Sequence, residues 1–334
     1  MKAVVLEKVG GLEVLKVSDL PAPQPEANQV LVRIHYAGVN YADILARQGL
    51  YNWANKLPYI LGLESSGVVE AIGPQVSRFK VGDRVVIGSK NGNYAELIVQ
   101  PEDHLLPAPE LLNFAELACL CGNWMTAWIA LFELARVRSG ETVLIQSGAG
   151  GVGTAAIQLA VSAGMQVYAT TSTPSKMRYV ASLGARPLSY EDFDTILEAH
   201  PPDFILESVG GDVHRRSLKL LAPLGRLVTI GASSIRVNKL NPFSWYNAWR
   251  NLPKVSTKDL HSQAYMTLHV GFLLEDQRES IFPIWARMVE YMTKHDLKPI
   301  VQTELIFPMS KVQIAHQTIE SRKNIGKVIL DPSR

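Results

Sequence analysis

The stretch Val143-Leu144-Ile145-Gln146-Ser147-Gly148-Ala149-Gly150-Gly151-Val152-Gly153-Thr154-Ala155-Ala156-Ile157-Gln158-Leu159-Ala160 decides the fold. It opens on an apolar run of the buried-strand kind, turns through glycines at 148, 150 and 153, and closes on a helical pattern. A lone G-x-G-x-x-G is weak evidence. Between a strand and a helix, inside an alternating strand–helix run, it reads as a turn that holds a dinucleotide pyrophosphate. One glycine serves the tight turn, one lets the backbone approach the pyrophosphate, and one lets the helix pack close to the strand. The helix start then offers free N–H groups and a partial positive charge to the phosphates. Gly148, Gly150, Gly151, Val152 and Gly153 are thus candidate cofactor contacts, with a purely packing turn as the plainer alternative.

Downstream the alternation continues. Gln166–Thr170 reads as a strand, and Pro174–Leu183 as a helix with proline in its first turn. Asp203–Leu206, Arg215–Leu221 and Arg226–Ile230 repeat the strand–helix–strand order, which predicts a parallel, doubly wound sheet. After about residue 260 the pattern changes to a helix at Glu279–Lys294, a strand at Val301–Phe307, a helix at Lys311–Ser321 and a strand at Gly326–Leu330. Upstream, residues 1–109 read as short β-strands. Val30 to Tyr36 and Tyr94 to Val99 alternate at period two, and turn residues fall at Gly10-Gly11, Pro21 to Pro25, Gly73-Pro74, Gly82-Asp83 and Asn91-Gly92-Asn93. A short helix at Tyr41–Arg47 interrupts this barrel-like or sandwich-like region. The expected division is a discontinuous domain of residues 1–120 and 261–334 around a nucleotide-binding domain of residues 121–260, and 334 residues exceed what one core usually organises.

A net charge of +2 gives no electrostatic case for binding nucleic acid or an anionic membrane. No basic segment followed by an apolar one opens the chain, so a cytoplasmic protein is expected. Cys119 and Cys121 are the two cysteines; their C-x-C spacing makes neither a disulfide framework nor a zinc-ligand set, and reads as two reduced, buried thiols. Residues 115–135 are apolar for long enough to span a bilayer, but Glu116, Gly122-Asn123 and Glu133 interrupt them, and two buried helices fit better.

The choice of nicotinamide is read at the end of the second strand, where an NAD site places an acid on the ribose 2′-hydroxyl. Here the chain runs Ala169-Thr170-Thr171-Ser172-Thr173-Pro174-Ser175-Lys176-Met177-Arg178 without an acid. Thr171 cannot repel a 2′-phosphate, and Ser172, Lys176 and Arg178 can bind one. One charge-assisted contact is worth roughly 1.5–3 kcal/mol, about 10- to 100-fold in preference. This favours NADPH, against the alternative of a solvated basic helix face.

Ala37-Gly38-Val39-Asn40-Tyr41-Ala42-Asp43, Gly49-Leu50-Tyr51, Leu61-Gly62-Leu63-Glu64-Ser65-Ser66-Gly67-Val68-Val69, Gly82-Asp83-Arg84-Val85, Gly148 to Gly153, Glu207-Ser208-Val209-Gly210 and Glu320-Ser321-Arg322 occur in this order. Together they resemble the quinone oxidoreductase branch of the medium-chain dehydrogenase/reductases over essentially the whole chain. The resemblance implies a GroES-like barrel domain, a Rossmann domain with the cofactor in the cleft between them, NADPH-dependent reduction of quinones or enones, and a homodimer. Where zinc-binding relatives carry Cys, His-Glu and Cys, the matching positions look like Asn40, Leu63-Glu64 and Gly122; the four-cysteine lobe after Val86 is also missing, so no metal is expected. Reducing an isolated carbonyl makes an alkoxide, which calls for a Lewis acid. A conjugated acceptor yields an enolate or phenolate, of phenol-like pKa near about 10, which hydrogen-bond donors can support.

The resemblance also marks Asn40 and Tyr51 as active-site residues. The Asn40 amide would face the developing oxyanion or the nicotinamide, and the Tyr51 hydroxyl would orient the acceptor or relay a proton. A turn asparagine and a barrel-surface tyrosine are the plainer alternatives. Leu45 stands where many relatives carry tyrosine, so no general acid is named. Thr126 and Val270-Gly271-Phe272 match the nicotinamide end, Tyr190 and Arg322 the adenosine end, and Gly231 a cofactor-facing strand end. Glu207 replaces a more usual Asp. Trp53, Trp124, Trp128, Trp245, Tyr246 and Trp249 are numerous aromatics; those at 245–249 read as core packing or as the lining of an apolar acceptor pocket. Two rival readings remain: an enoyl-thioester reductase, and a non-catalytic NADPH-binding protein, because Asn241-Pro242 to Trp249 resembles vesicle-associated relatives.

Overall fold

The structure, a computed structural model, describes residues 1–51, 56–234, 250, 252 and 254–334; the expectations for Trp53, Asn241, Pro242, Trp245, Tyr246 and Trp249 lie outside the described residues. The chain forms two compact units, residues 1–125 with 270–334, and residues 126–269.

The first unit holds β1 (Lys2–Leu6), β2 (Lys16–Asp19), β3 (Gln29–Val39), α1 (Tyr41–Gln48), β4 (Tyr59–Ile60), β5 (Glu64–Ile72), β6 (Arg84–Gly88), β7 (Leu97–Pro101), β8 (Leu105–Pro107) and α2 (Phe114–Leu117). From the chain's end it takes α8 (Val270–Asp276), α9 (Arg278–Lys294), β15 (Ile306–Pro308), α10 (Val312–Glu320) and β16 (Val328–Asp331). Its main sheet runs β15-β16-β3-β5-β6-β8, with β7 also on β3, and β2-β1-β4 form a second sheet. The long strand β3 organises both apolar cores. Val30, Val32 and Ile34 enter one cluster with Val69, Val85, Ile87, Ile98 and Leu105, whereas Ala37 and Val39 enter another with Leu61, Tyr94, Met309 and Val328. Even positions serve the first core and odd positions the second, because the register against β5 shifts between Ile34 and Tyr36. A bulge of this kind turns every later side chain to the opposite face.

In the second unit β9 (Thr142–Ile145), α4 (Gly151–Ser162), β10 (Gln166–Thr171), α5 (Pro174–Ser182), β11 (Arg186–Ser189), α6 (Phe193–Leu197), β12 (Phe204–Glu207), α7 (Gly211–Leu220), β13 (Arg226–Thr229) and β14 (Ala264–Thr267) alternate as the pattern predicts. The six strands pair in parallel, in the order β11-β10-β9-β12-β13-β14. The order therefore reverses between β9 and β12, the switch point at which open α/β sheets bind ligands beyond the strand ends.

Three sequence expectations need correcting. The alternation does not stop at residue 260, since β14 continues the sheet, and β11 closes its other edge. Both are four-residue edge strands of mixed polarity, and β11 contains Pro187, which an edge tolerates. The strand expected at Val301–Phe307 is a 3-10 turn at Thr303–Leu305 followed by the three residues of β15. The apolar segment 115–135 comprises α2, then α3 (Met125–Trp128) between π-helical turns at Leu120–Trp124 and Ile129–Leu134. Among the described residues no helix is long and apolar enough to cross a membrane.

Candidate active site

The glycine-rich turn is shaped by what its neighbours leave room for. A β-carbon on Gly153 would lie 2.4 Å from the Ser147 carbonyl oxygen and 2.7 Å from that of Gly148, and one on Gly148 would lie 2.6 Å from Ala169 Cβ. Gly150, the N-cap of α4, meets nothing closer than 3.3 Å, so that its side opens to an incoming group. One assigned task moves. None of these three glycines has a positive φ; the left-handed residue of the turn is Ser147, at φ 59°. Ser147 is held there by a polar chain. Gln146 Nε2 donates to Ser217 Oγ at 2.9 Å, Thr170 Oγ1 donates to Gln146 Oε1 at 2.6 Å, and the Ser147 N–H donates to Thr170 Oγ1 at 3.2 Å. The Ser147 and Tyr190 hydroxyls lie 3.1 Å apart, so Tyr190 borders the turn. Gly151, Val152 and Gly153 form the first turn of α4, whose N–H groups face the strand end.

At the end of β10 the Thr171 hydroxyl is buried and has no hydrogen-bond partner among the described residues. Ser172 beyond it is exposed, and α5 begins under the cap of Thr173, whose Oγ1 accepts the Lys176 N–H at 3.3 Å. Thr171, Ser172 and Lys176 thus sit together at the strand-end-to-helix junction. Glu207 at the end of β12 now has a physical account. One oxygen takes the N–H groups of Val209 and Gly210 at 2.6 and 2.8 Å, and the other lies 3.2 Å from His214 Nδ1. It ties the loop after β12 to α7, a longer reach than Asp would have. Gly231 follows β13, and a β-carbon there would meet the Ser208 carbonyl oxygen at 3.9 Å.

In the first unit, three strands bring a polar cluster together. The β16–β3 register sets Val328 opposite Val39, so Lys327 falls level with Asn40, and the β3–β5 register sets Glu64 opposite Gly38. Asn40 Nδ2 donates to Glu64 Oε1 at 2.8 Å, Lys327 Nζ donates to Asn40 Oδ1 at 2.6 Å, and Lys327 also pairs directly with Glu64. The Gly122 N–H donates to Glu64 Oε2 at 2.7 Å. The Glu64 and Lys327 side chains are 2% and 4% exposed, while Asn40 is half-buried. Gly122 makes part of the space, since a β-carbon there would lie 2.6 Å from Glu64 Oε1, whereas one on Gly38 would strike the Ala118 carbonyl oxygen at 2.5 Å before Glu64 Oε1 and Lys327 Cε at 2.8 Å. Asn40, Glu64 and Gly122, matched to metal-ligand positions by resemblance, are thus one site. Lys327 was missed; its only signal is a lone charge at the head of the apolar run Val328-Ile329-Leu330.

These residues do not suit zinc, which takes three protein ligands at a catalytic centre. The positions offer an amide and one carboxylate already bound to an ammonium. Among the described residues no group of three or more His, Cys, Asp or Glu is placed to hold a metal ion.

Behind Asn40 lies Asp43, fully buried, with Oδ2 accepting the Asn40 N–H at 2.8 Å and the Tyr94 hydroxyl beside its carboxyl. Burial pushes its carboxyl up to about 7, against the smaller opposing effects of the Asn40 N–H and the Lys327 charge. Burial, with the Asp43 charge beside it, also raises the phenols of Tyr51 and Tyr59 and, most of all, Tyr94. Tyr51 packs on the core cluster of α1 and β1 and stays a protonated donor. Leu45 is half-buried on α1. Thr126 is buried in α3 between the two π-helical turns. Gly271 is buried in the first turn of α8 with Phe272 exposed, and Arg322 is an exposed left-handed residue just past α10, φ 54°.

Residues 26–110 match the alcohol dehydrogenase GroES-like domain family, and residues 151–265 the zinc-binding dehydrogenase family. The human synaptic vesicle membrane protein VAT-1 homolog is 31% identical, over 99% of this chain and 86% of its own length. Mouse quinone oxidoreductase is 32% identical, over 99% of this chain and 97% of its own. The crystal structure of Escherichia coli quinone oxidoreductase complexed with NADPH is similar at a TM-score of 0.86 and 26% identity, covering 99% of this chain and 100% of that one. Identity at this level along the whole chain, carried on a GroES-like unit and a Rossmann-type sheet, makes the protein a member of the quinone oxidoreductase branch of the medium-chain dehydrogenase/reductase superfamily.

Proposed function

We propose that this oxidoreductase uses NADPH to reduce quinones or other conjugated carbonyls, enones and alkenals among them, without zinc. The observation that carries the reading is the donor set at the metal-ligand positions: an amide, a carboxylate–ammonium pair and a glycine. Such a set donates hydrogen bonds but supplies no Lewis acid, which suits an acceptor whose reduced form is an enolate or phenolate.

NADPH, when bound, supplies the hydride. Gly150, Gly151, Val152 and Gly153 would receive its pyrophosphate at the start of α4, where the open side of Gly150 gives the needed approach. Ser172 and Lys176, beside Thr171 whose buried hydroxyl has no hydrogen-bond partner among the described residues, would take the 2′-phosphate end. Tyr190 and Arg322 are assigned to the adenosine side, Thr126, Gly271 and Phe272 to the nicotinamide side, and Gly231 to a cofactor-facing strand end. Asn40 would donate to the oxygen that gains charge, and Tyr51, kept protonated by burial, would orient the acceptor. The proton that completes the reduction comes from solvent. A cytoplasmic homodimer completes the reading, and light scattering in solution checks the dimer.

The test is oxidation of NADPH and of NADH, in EDTA, with an ortho-quinone and a short-chain enone. NADPH-selective turnover that survives the chelator supports the reading. Binding of NADPH without turnover on either acceptor points to a thioester substrate or a binding role. Activity lost to EDTA refutes metal independence.

A further inference from the structure

We infer that Lys327 is a positioning residue which, with Glu64, locks the Asn40 amide in one orientation so that its second Nδ2 proton is aimed at the acceptor oxygen. The inference rests on the reductase reading above and deepens it.

The chemistry of the partners forces the orientation. An ammonium only donates and a carboxylate only accepts, whereas an amide offers one end of each kind. Lys327 therefore takes Asn40 Oδ1 and Glu64 takes Asn40 Nδ2. Flipping the amide would set its oxygen against a carboxylate and its NH2 against an ammonium, two repulsive contacts in a space where both charges are nearly unexposed. One Nδ2 proton is used on Glu64; the other remains, on a half-buried side chain that still reaches the surface of the unit. The Lys327 contact also polarises the amide, which strengthens the remaining N–H as a donor.

Stability does not explain the arrangement. A buried ion pair usually gains little over apolar side chains of the same volume, because both charges must be desolvated. Here the fold also gives up a side chain at Gly122 to fit it. Since the pair is neutral overall, what it adds at Asn40 is direction rather than net charge.

The decisive variant is the double change Glu64→Gln with Lys327→Met, which removes both charges together and leaves a Gln that can donate or accept. It is compared with Asn40→Ala and with the triple variant, in quinone reduction under saturating NADPH. Loss of aim at an oxyanion donor predicts a fall in kcat of about 10- to 100-fold in the double variant. KM for NADPH and the thermal midpoint stay close to wild type. The losses of the double variant and of Asn40→Ala should not multiply, since both act through one amide. A second readout needs no turnover: the Asn40 side-chain amide resonances, identified by their loss in Asn40→Ala, should exchange slowly with solvent in the wild type and rapidly in the double variant. A double variant that keeps kcat within about 2-fold, or whose loss multiplies with that of Asn40→Ala, or whose amide still exchanges slowly, overturns the inference while leaving the reductase reading intact. If the wild type turns over no acceptor, the reductase reading fails, and the exchange rates alone decide whether the lock exists.

Discussion

The two candidate sites are built in opposite ways. The nucleotide turn between β9 and α4 is made of side chains left out: Gly148 and Gly153 exist because a β-carbon would strike backbone or Ala169, and Gly150 leaves a face open. The cluster around Asn40 is made of charges put in, Glu64 and Lys327, at the ends of separate strands. A site of the first kind depends on shape and is contiguous in the chain. A site of the second kind depends on pairing and is assembled from residues 40, 64, 122 and 327. Shape should fail abruptly and everywhere, pairing gradually and in one function at a time.

The largest effect expected from this contrast is at Gly153. Gly153→Val would overpack the turn, at about 1–3 kcal/mol or more, and should cost both NADPH binding and several degrees in thermal midpoint. Gly150→Ala, whose methyl would press only on the Ser147 carbonyl oxygen at 3.3 Å, should lower the midpoint far less than Gly153→Val while losing cofactor affinity, measured by calorimetry. A Gly150→Ala protein as unstable as the Gly153 variant would break the distinction between packing and approach. Next is Asn40→Ala, which removes one oxyanion donor; kcat should fall about 100-fold with NADPH affinity unchanged. Lys176→Ala should lower the preference for NADPH over NADH by about 10- to 100-fold through KM for NADPH, leaving NADH kinetics alone. An unchanged ratio would return Lys176 to a solvated helix face.

A further expected effect is a pH dependence of stability. An unfolded Asp titrates near about 3.9, whereas buried Asp43 titrates at about 7. The folded state holds the proton more tightly, so this group favours folding fully below pH ~4, and that contribution is lost as pH rises through about 7. Asp43→Asn should therefore be stabilised relative to wild type at pH 8, by up to about 4 kcal/mol, with the gain shrinking toward pH 4. His316, lowered by burial to about 3, works in the opposite direction, but it is common to both proteins and cancels in the comparison. A stability difference that does not change with pH would mean that Asp43 stays charged when buried.

How far each region could be read in advance follows from the same contrast. The G-x-G-x-x-G turn, the helix over Tyr41–Gln48 and the central strands β9, β10, β12 and β13 announce themselves through local periodicity and turn chemistry. The edge strands β11 and β14 do not, because four residues of mixed burial carry too little pattern and their pairing is with distant partners. The face switch along β3 was hidden in a bulge, and the left-handed Ser147 in a polar chain through Gln146, Thr170 and Ser217. Asn40, Glu64 and Gly122 were noticed by resemblance, yet nothing local shows that Lys327 lies level with Asn40; only the β16–β3 register does. Glu207, without an account in sequence, proves to span from a loop to His214.

The central claim is direct hydride transfer from NADPH to a conjugated carbonyl without a metal. It is tested most directly by supplying NADPH deuterated at C4, in each of its two configurations, to the EDTA-treated protein with an enone, and locating the label in the product. One configuration should place deuterium on the β-carbon, with the α-carbon proton taken from water. Product formed without deuterium from either label, or no product in EDTA where untreated protein gives it, would contradict the account.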